Sequence, residues 1–277
     1  MIPFDFEYYR PASVADAVAL YLKLDGEGKN PLYYAGGTEL ITLGRINRIH
    51  TQAVIDLKGV PECRTMAVRN GRIMLGSALT LSEIFDARIF PLLGETGAGV
   101  ADRTSRNKIT VGGNILSRFI YREAVLPLLL ADSEIVVAGP AGMRRLPIRQ
   151  AFDRTLQLGR AELLVQLVTD SRYAGLPYIT LKKRQASAID YPLVTMAALK
   201  DEAGIRLAIS GLCAFPFRSP AIERILNRRE LPLAERMDQA AAQLPAPIVS
   251  DIRGSAAYRR LVFGNLLREA FSALGGA

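Results

Sequence analysis

Two Gly-Gly pairs, far apart in the chain, constrain this sequence more than any other feature. Ala35-Gly36-Gly37-Thr38-Glu39-Leu40 follows a short apolar run, Pro31 to Ala35, and opens a helix-forming segment. Thr110-Val111-Gly112-Gly113-Asn114-Ile115 closes a basic stretch, residues 103–114, that reads as a loop. Residues without Cβ let backbone N–H groups approach a ligand closely. At a strand-to-helix junction those groups lie at the positive end of the helix dipole, where a phosphate fits. Thr38 adds a hydroxyl donor and Asn114 an amide. Singly, each pair marks a tight turn more often than a ligand. Jointly, with Arg103, Arg106 and Lys108 beside the second, they suit a pyrophosphate held between two lobes. Neither pair belongs to Gly-x-Gly-x-x-Gly and no Walker sequence occurs, so a Rossmann fold or a P-loop is not supported.

The surrounding pattern is α+β. Ser13 caps a helix whose apolar face is Val14, Ala17, Val18, Tyr21 and Leu22, with Asp16 in the capping-box position. Val54 to Leu57 reads as a strand. Asn70-Gly71 between Met66–Arg69 and Ile73–Gly76 is a type I′ hairpin signal, since both central residues need positive φ. Thr80 and Glu83 form a second capping box. A helix is expected in Leu92–Ala101. A hairpin is expected around Gly139 to Gly142, and a strand in Leu163–Thr169. Ser171 to Leu176 reads as a linker. Beyond it come strands at Tyr178–Leu181, Val194–Lys200 and Ile205–Gly211, then helices at Leu233–Leu244 and Ser255–Leu274.

The 277 residues suggest about two domains. Two cysteines, Cys63 and Cys213, and one histidine, His50, are too few for a cysteine-ligated iron–sulfur cluster or an ordinary zinc site. Without a Gly-x-Ser-x-Gly elbow, a Ser-His-Asp triad has no nucleophile. A bound cofactor is therefore the expected carrier of any chemistry. The net charge is +8, but the basic residues are scattered and carry no nucleic-acid-reading motif. Solvated faces plus one polyanionic small ligand explain it better. No signal peptide or membrane span is read, so the expected location is cytoplasmic.

The order of motifs resembles the flavoprotein (medium) subunit of the molybdenum hydroxylases, the xanthine dehydrogenase and carbon monoxide dehydrogenase type. The resemblance rests on Phe6 to Pro11, Ala35 to Leu40, Ile55-Asp56-Leu57, Arg106 to Asn114, Glu162-Leu163-Leu164, Lys182 and Asp190-Tyr191-Pro192. It implies a PCMH-type FAD-binding fold over residues 1–170, with subdomains at about 1–57 and 58–170. A small antiparallel-sheet-plus-helix domain would follow over 177–277. FAD is the implied cofactor, its pyrophosphate held by Ala35, Gly36, Gly37, Thr38, Glu39, Leu40, Thr110, Gly112, Gly113 and Asn114, with Tyr34 also among the cofactor-binding residues. Glu123 would replace the family's aspartate near the adenosine portion, and Leu164 would lie at the adenine or flavin edge. Lys182 is expected at the flavin's pyrimidine carbonyl side and Tyr191 against the isoalloxazine. A solvated strand edge for Lys182 and a packing role for Tyr191 remain open on the residues alone.

The implied role is electron transfer from an iron–sulfur subunit, itself fed by a molybdopterin subunit, to an acceptor such as NAD or a quinone. No catalytic side chain and no metal ligand is expected. The alternatives are a stand-alone flavin oxidoreductase on the same fold and a partner-binding scaffold that has lost FAD.

Overall fold

A computed structural model describes residues 2–184 and 190–276, and within them three sheets each carry a hydrophobic core. The first comprises β1 (Glu7–Tyr9), α1 (Val14–Gly26), β2 (Leu32–Tyr34), α2 (Thr38–Arg45) and β3 (Ala53–Asp56), with parallel strand order β1-β3-β2. Ser13 caps α1 by accepting from the Asp16 N–H, and Val14, Ala17, Val18 and Leu24 are the buried face. Leu22, expected there, is 45% exposed because Leu24 takes the inward position as the helix ends. β3 lies between two neighbours and is buried along its whole length, which is why it reads as an unbroken apolar run before Asp56.

The second unit holds β4 (Met66–Arg69), β5 (Arg72–Gly76), α3 (Leu81–Ala87), α4 (Pro91–Ala98), α5 (Arg103–Arg106), α6 (Val111–Leu116), α7 (Val125–Leu130), β6 (Glu134–Gly139), β7 (Gly142–Pro147), α8 (Ile148–Ala151), the two-residue strands β8 (Phe152–Asp153) and β9 (Thr155–Leu156), and β10 (Leu163–Asp170). Its antiparallel order is β4-β5-β10-β6-β7. Asn70 and Gly71 have φ of 49° and 69°, the conformation a type I′ turn requires. In β10, Leu163 and Val165 join the core shared with the first unit, whereas Leu164 and Leu167 join the core that includes α7. The central strand thus binds two layers together. Residues 103–114, expected as a loop, instead contain α5 and the start of α6. Asp102 and Thr110 cap them through their side chains, a local signal hidden inside a basic stretch.

After a 3-10 turn at Ser171–Gly175 come β11 (Tyr178–Arg184), β12 (Pro192–Asp201), β13 (Gly204–Ser210), β14 (Phe217–Arg218), α9 (Pro220–Leu226), α10 (Leu233–Ala242) and α11 (Ala256–Ala273). The sheet is antiparallel in the order β11-β12-β13-β14. β14 and α9 are too short to show a periodic pattern in the sequence. This sheet docks on α7. Arg206 donates to the Leu130 carbonyl and Arg218 to those of Leu129 and Leu130, at 3.0, 2.8 and 3.5 Å, while both pair with Asp132. Cations at a helix C-terminus satisfy carbonyls that have no intrahelical partner.

Candidate functional site

The bend after β2 is built to expose amides. Gly37 has φ +72° and opens α2 with no side-chain cap. Among the described residues none accepts from the backbone N–H groups of Gly36, Gly37, Thr38, Glu39 or Leu40. A run of unclaimed donors at the positive end of a helix is an anion cradle. The bend is held from below. Lys58 donates to the Ala35 carbonyl at 2.7 Å and to Asp56 at 2.8 Å, and its ammonium lies 4.5 Å from the Tyr34 ring centroid. Tyr8 donates to the other Asp56 oxygen. Burial would raise the Asp56 pKa, but Lys58 and Tyr8 outweigh it, so the carboxyl sits below its ordinary value.

The segment leading into the second pair meets the first directly. A Cβ on Gly36 would overlap the Lys108 carbonyl oxygen and lie 3.3 Å from the Thr110 nitrogen. Glu39 also reaches across, accepting from the Arg118 N–H at 2.9 Å. Yet the second pair's own amides are engaged. Gly112 donates to the Ser77 carbonyl at 2.9 Å, and Gly113 to the Thr110 hydroxyl at 3.2 Å. Asn114 is buried and accepts from the Ala124 N–H. Gly112 is required for close packing, since a Cβ there would stand 2.7 Å from both the Cβ and the carbonyl oxygen of Ser77. Arg103 and Arg106, expected beside a phosphate, also have protein partners. Arg103 pairs with Asp86, and Arg106 donates to the Val100 and Ala101 carbonyls.

Glu123 and Lys182, expected at opposite portions of the cofactor, are brought into one buried ion pair at 2.7 Å. Thr195 donates to the same carboxylate and Lys182 also donates to the Gly99 carbonyl. Burial pushes the Lys182 pKa below its ordinary value, and the Glu123 charge opposes that. Lys182 is therefore no solvated strand edge, despite the Lys182-Lys183-Arg184 run. Leu164 is 2% exposed inside the core, so a ligand would reach its side chain only if that packing opened. Tyr191 is 44% exposed and belongs to an aromatic group the sequence did not reveal. Its ring centroid lies 5.3 Å from Tyr121 and 6.0 Å from Phe119, with the Arg253 guanidinium 4.8 Å above it. The Tyr121 hydroxyl is buried without a partner among the described residues. The alternation of Phe119 and Tyr121 was the available clue, and only folding adds Tyr191 and Arg253.

The arrangement can grip an anion, present aromatic faces and hold a buried charge pair. It assembles no nucleophile and base. Cys63 and Cys213 are buried, their thiols each pushed up to about 11 by desolvation, and His50 packs its ring on Phe4. Among the described residues no His/Cys/Asp/Glu group could hold a metal ion, and no helix is long and apolar enough to cross a membrane.

This combination of a two-lobed α/β joint and an antiparallel C-terminal sheet defines a flavoprotein class. Residues 4–168 match the FAD binding domain in molybdopterin dehydrogenase, and residues 179–274 match the CO dehydrogenase flavoprotein C-terminal domain. The chain belongs to this family of oxidoreductase subunits, with the PCMH-type fold. The carbon monoxide dehydrogenase medium chain of Hydrogenophaga pseudoflava is 27% identical, over 99% of this chain and 98% of its own. The nicotine 6-hydroxylase medium subunit of Paenarthrobacter nicotinovorans is 27% identical, over 97% and 96%. The solved carbon monoxide dehydrogenase of Hydrogenophaga pseudoflava superposes with a TM-score of 0.88 at 25% identity, covering 99% of each chain. Quinoline 2-oxidoreductase from Pseudomonas putida 86 superposes at 0.83 and 22% identity over 100% of this chain and 99% of its own, which speaks for the fold alone.

Proposed function

We propose that this chain holds FAD at the joint between its two glycine bends and serves as a cytoplasmic electron-transfer subunit. The unclaimed amides from Gly36 to Leu40, packed against Lys108–Thr110, carry the reading. A bent dinucleotide brings two adjacent phosphates, and such a donor run at a helix N-terminus is what they need. Residues 1–170 would hold the cofactor and 177–277 would close over it. Thr38 and Thr110 would hold the pyrophosphate with the Gly36–Leu40 amides. Gly112, Gly113 and Asn114 would shape the facing wall. Tyr191 would lie against the ring system with Tyr121, whose unpartnered hydroxyl offers a hydrogen bond. Glu123 and Lys182 would act as one unit, fixing charge beside the site.

FAD bound there supplies the redox chemistry, exchanging electrons singly or in pairs. The protein's task is binding, orientation and exclusion of water, which fits a site without an acid–base pair. The carbon monoxide and nicotine-hydroxylating relatives are medium subunits by name. By that likeness, electrons would come from an iron–sulfur subunit served by a molybdopterin subunit and leave to NAD or a quinone.

The test is purification with co-expressed neighbours and reconstitution with FAD. Stoichiometric flavin absorbance, with molybdenum and iron in co-purifying chains, is the expected result. A chain that takes up no FAD would refute the assignment and leave the scaffold alternative. Flavin reduced by a small substrate in the isolated chain would favour a stand-alone oxidoreductase.

A further inference from the structure

A cavity of about 520 Å³ opens where the segment after α6, the β8–β9 turn and the C-terminal domain meet. That volume lies within the range of small-ligand sites. Arg118, Arg122 and Arg154 line it on one side, and Ile120, Phe215 and Pro247 are among its apolar walls. No carboxylate lines it among the described residues. Glu39, the nearby acid, is engaged with the Arg118 backbone N–H, and Glu123 is turned to Lys182 and Thr195.

Arg122 is 3% exposed; among the described residues its guanidinium donates to the Ser117 and Arg154 carbonyls and lies 5.7 Å from the Phe152 ring centroid, with no carboxylate partner and Nε buried without a partner. Burial works against its charge, with Glu39 the opposing influence. A buried cation lacking a paired carboxylate is unfavourable unless an anion completes it. Arg154 sits at φ +60°, a left-handed conformation where glycine or asparagine is expected. Its guanidinium lies 5.1 Å from the Phe215 ring centroid at the cavity wall, and none of its side-chain atoms pairs with a described carboxylate. A left-handed backbone position and a buried guanidinium without a carboxylate partner thus converge on one pocket.

We propose that this pocket binds a small organic anion, with a phosphate or carboxylate head on an aromatic or apolar body. The head would meet the exposed Arg118 and Arg154, whose guanidinium groups are suited to bidentate oxyanion contacts, with the buried Arg122 adding positive charge, and the body would rest on Phe215 and Ile120.

The experiment titrates FAD-loaded protein with AMP and, separately, with benzoate, by calorimetry and thermal shift. Saturable binding of at least one probe is expected, AMP marking a phosphate preference and benzoate a carboxylate one. Arg154→Gly should weaken it by about tenfold or more, the loss of one charge-assisted contact, while the unliganded melting temperature holds or rises because glycine accepts φ +60°. Arg118→Met should weaken it with FAD content unchanged. Absence of saturable binding for both probes, an unchanged affinity in Arg154→Gly, or loss of binding on FAD loading would overturn the assignment. If the chain takes up no FAD, the decision falls to benzoate on FAD-free protein: saturable binding weakened in Arg154→Gly supports the pocket, and binding unchanged in Arg154→Gly or absent overturns it.

Discussion

The same dipeptide does two different jobs in this molecule. At Gly36-Gly37 the chain leaves its amides unclaimed, and the missing Cβ lets a neighbouring backbone carbonyl close in. At Gly112-Gly113 the amides are consumed by Ser77 and Thr110, and the missing Cβ lets two backbone segments pack. The difference is one of supply. The first pair precedes a helix with no side-chain cap, whereas the second lies inside a helix that Thr110 already caps. Orphan donors seek a ligand only where the protein has not satisfied them. The first pair is a candidate ligand cradle, and the second a packing device.

Gly36→Ala gives the largest expected effect. Its Cβ would meet the Lys108 carbonyl, backbone that cannot step aside, so destabilisation above about 3 kcal/mol and loss of flavin are expected. Urea unfolding and bound-flavin absorbance measure both, and a variant that keeps its stability and its flavin would break the joint as described. Gly112→Ala should destabilise by about 1–3 kcal/mol through its contact with Ser77, while the folded fraction keeps its flavin. Flavin loss at full stability would make the two pairs alike and defeat the comparison.

Thr110→Ala removes the cap from the Gly113 N–H and should cost about 1 kcal/mol in denaturant titration. A drop in FAD affinity beyond what that freed amide explains would sharpen the case for Thr110 as a direct contact. The smallest effect concerns Glu83, the capping-box residue beside Arg64. Burial alone would raise its pKa, but Arg64 and Thr80 bring it down to about 2. A carboxyl depressed in the folded state contributes stability above its unfolded pKa, about 4.3, and loses it as pH falls toward the folded value. Acid-titrated melting should therefore show a decline between those two values that Glu83→Gln flattens.

Local chemistry was legible along much of the chain. Asn70-Gly71 announces its turn because few residues accept two consecutive positive φ values. Ser13 and Thr80 announce helix starts because their hydroxyls satisfy amides only three residues away. Leu22 and Leu24 were confused because helical periodicity does not say where the last turn meets the core. α5 and α6 were hidden because helices this short carry less than two turns of pattern. The basic residues near the second glycine pair were misread for a different reason. Charge in a sequence does not say which carbonyl or carboxylate will claim it, and Asp86 and the Val100 and Ala101 carbonyls claimed Arg103 and Arg106.

Read unaided, the order of residues settled the class of fold and the family likeness. Those properties depend on neighbours within a few residues or on motif order, which the chain carries explicitly. Folding alone decided that the two bends touch, that only one keeps its amides free, and that Glu123 and Lys182 neutralise each other. It also decided that Phe119, Tyr121 and Tyr191 share one face, and that Arg118, Arg122 and Arg154 surround a common space. Each of these turns on distances between residues remote in sequence, and on which polar group reaches a partner first.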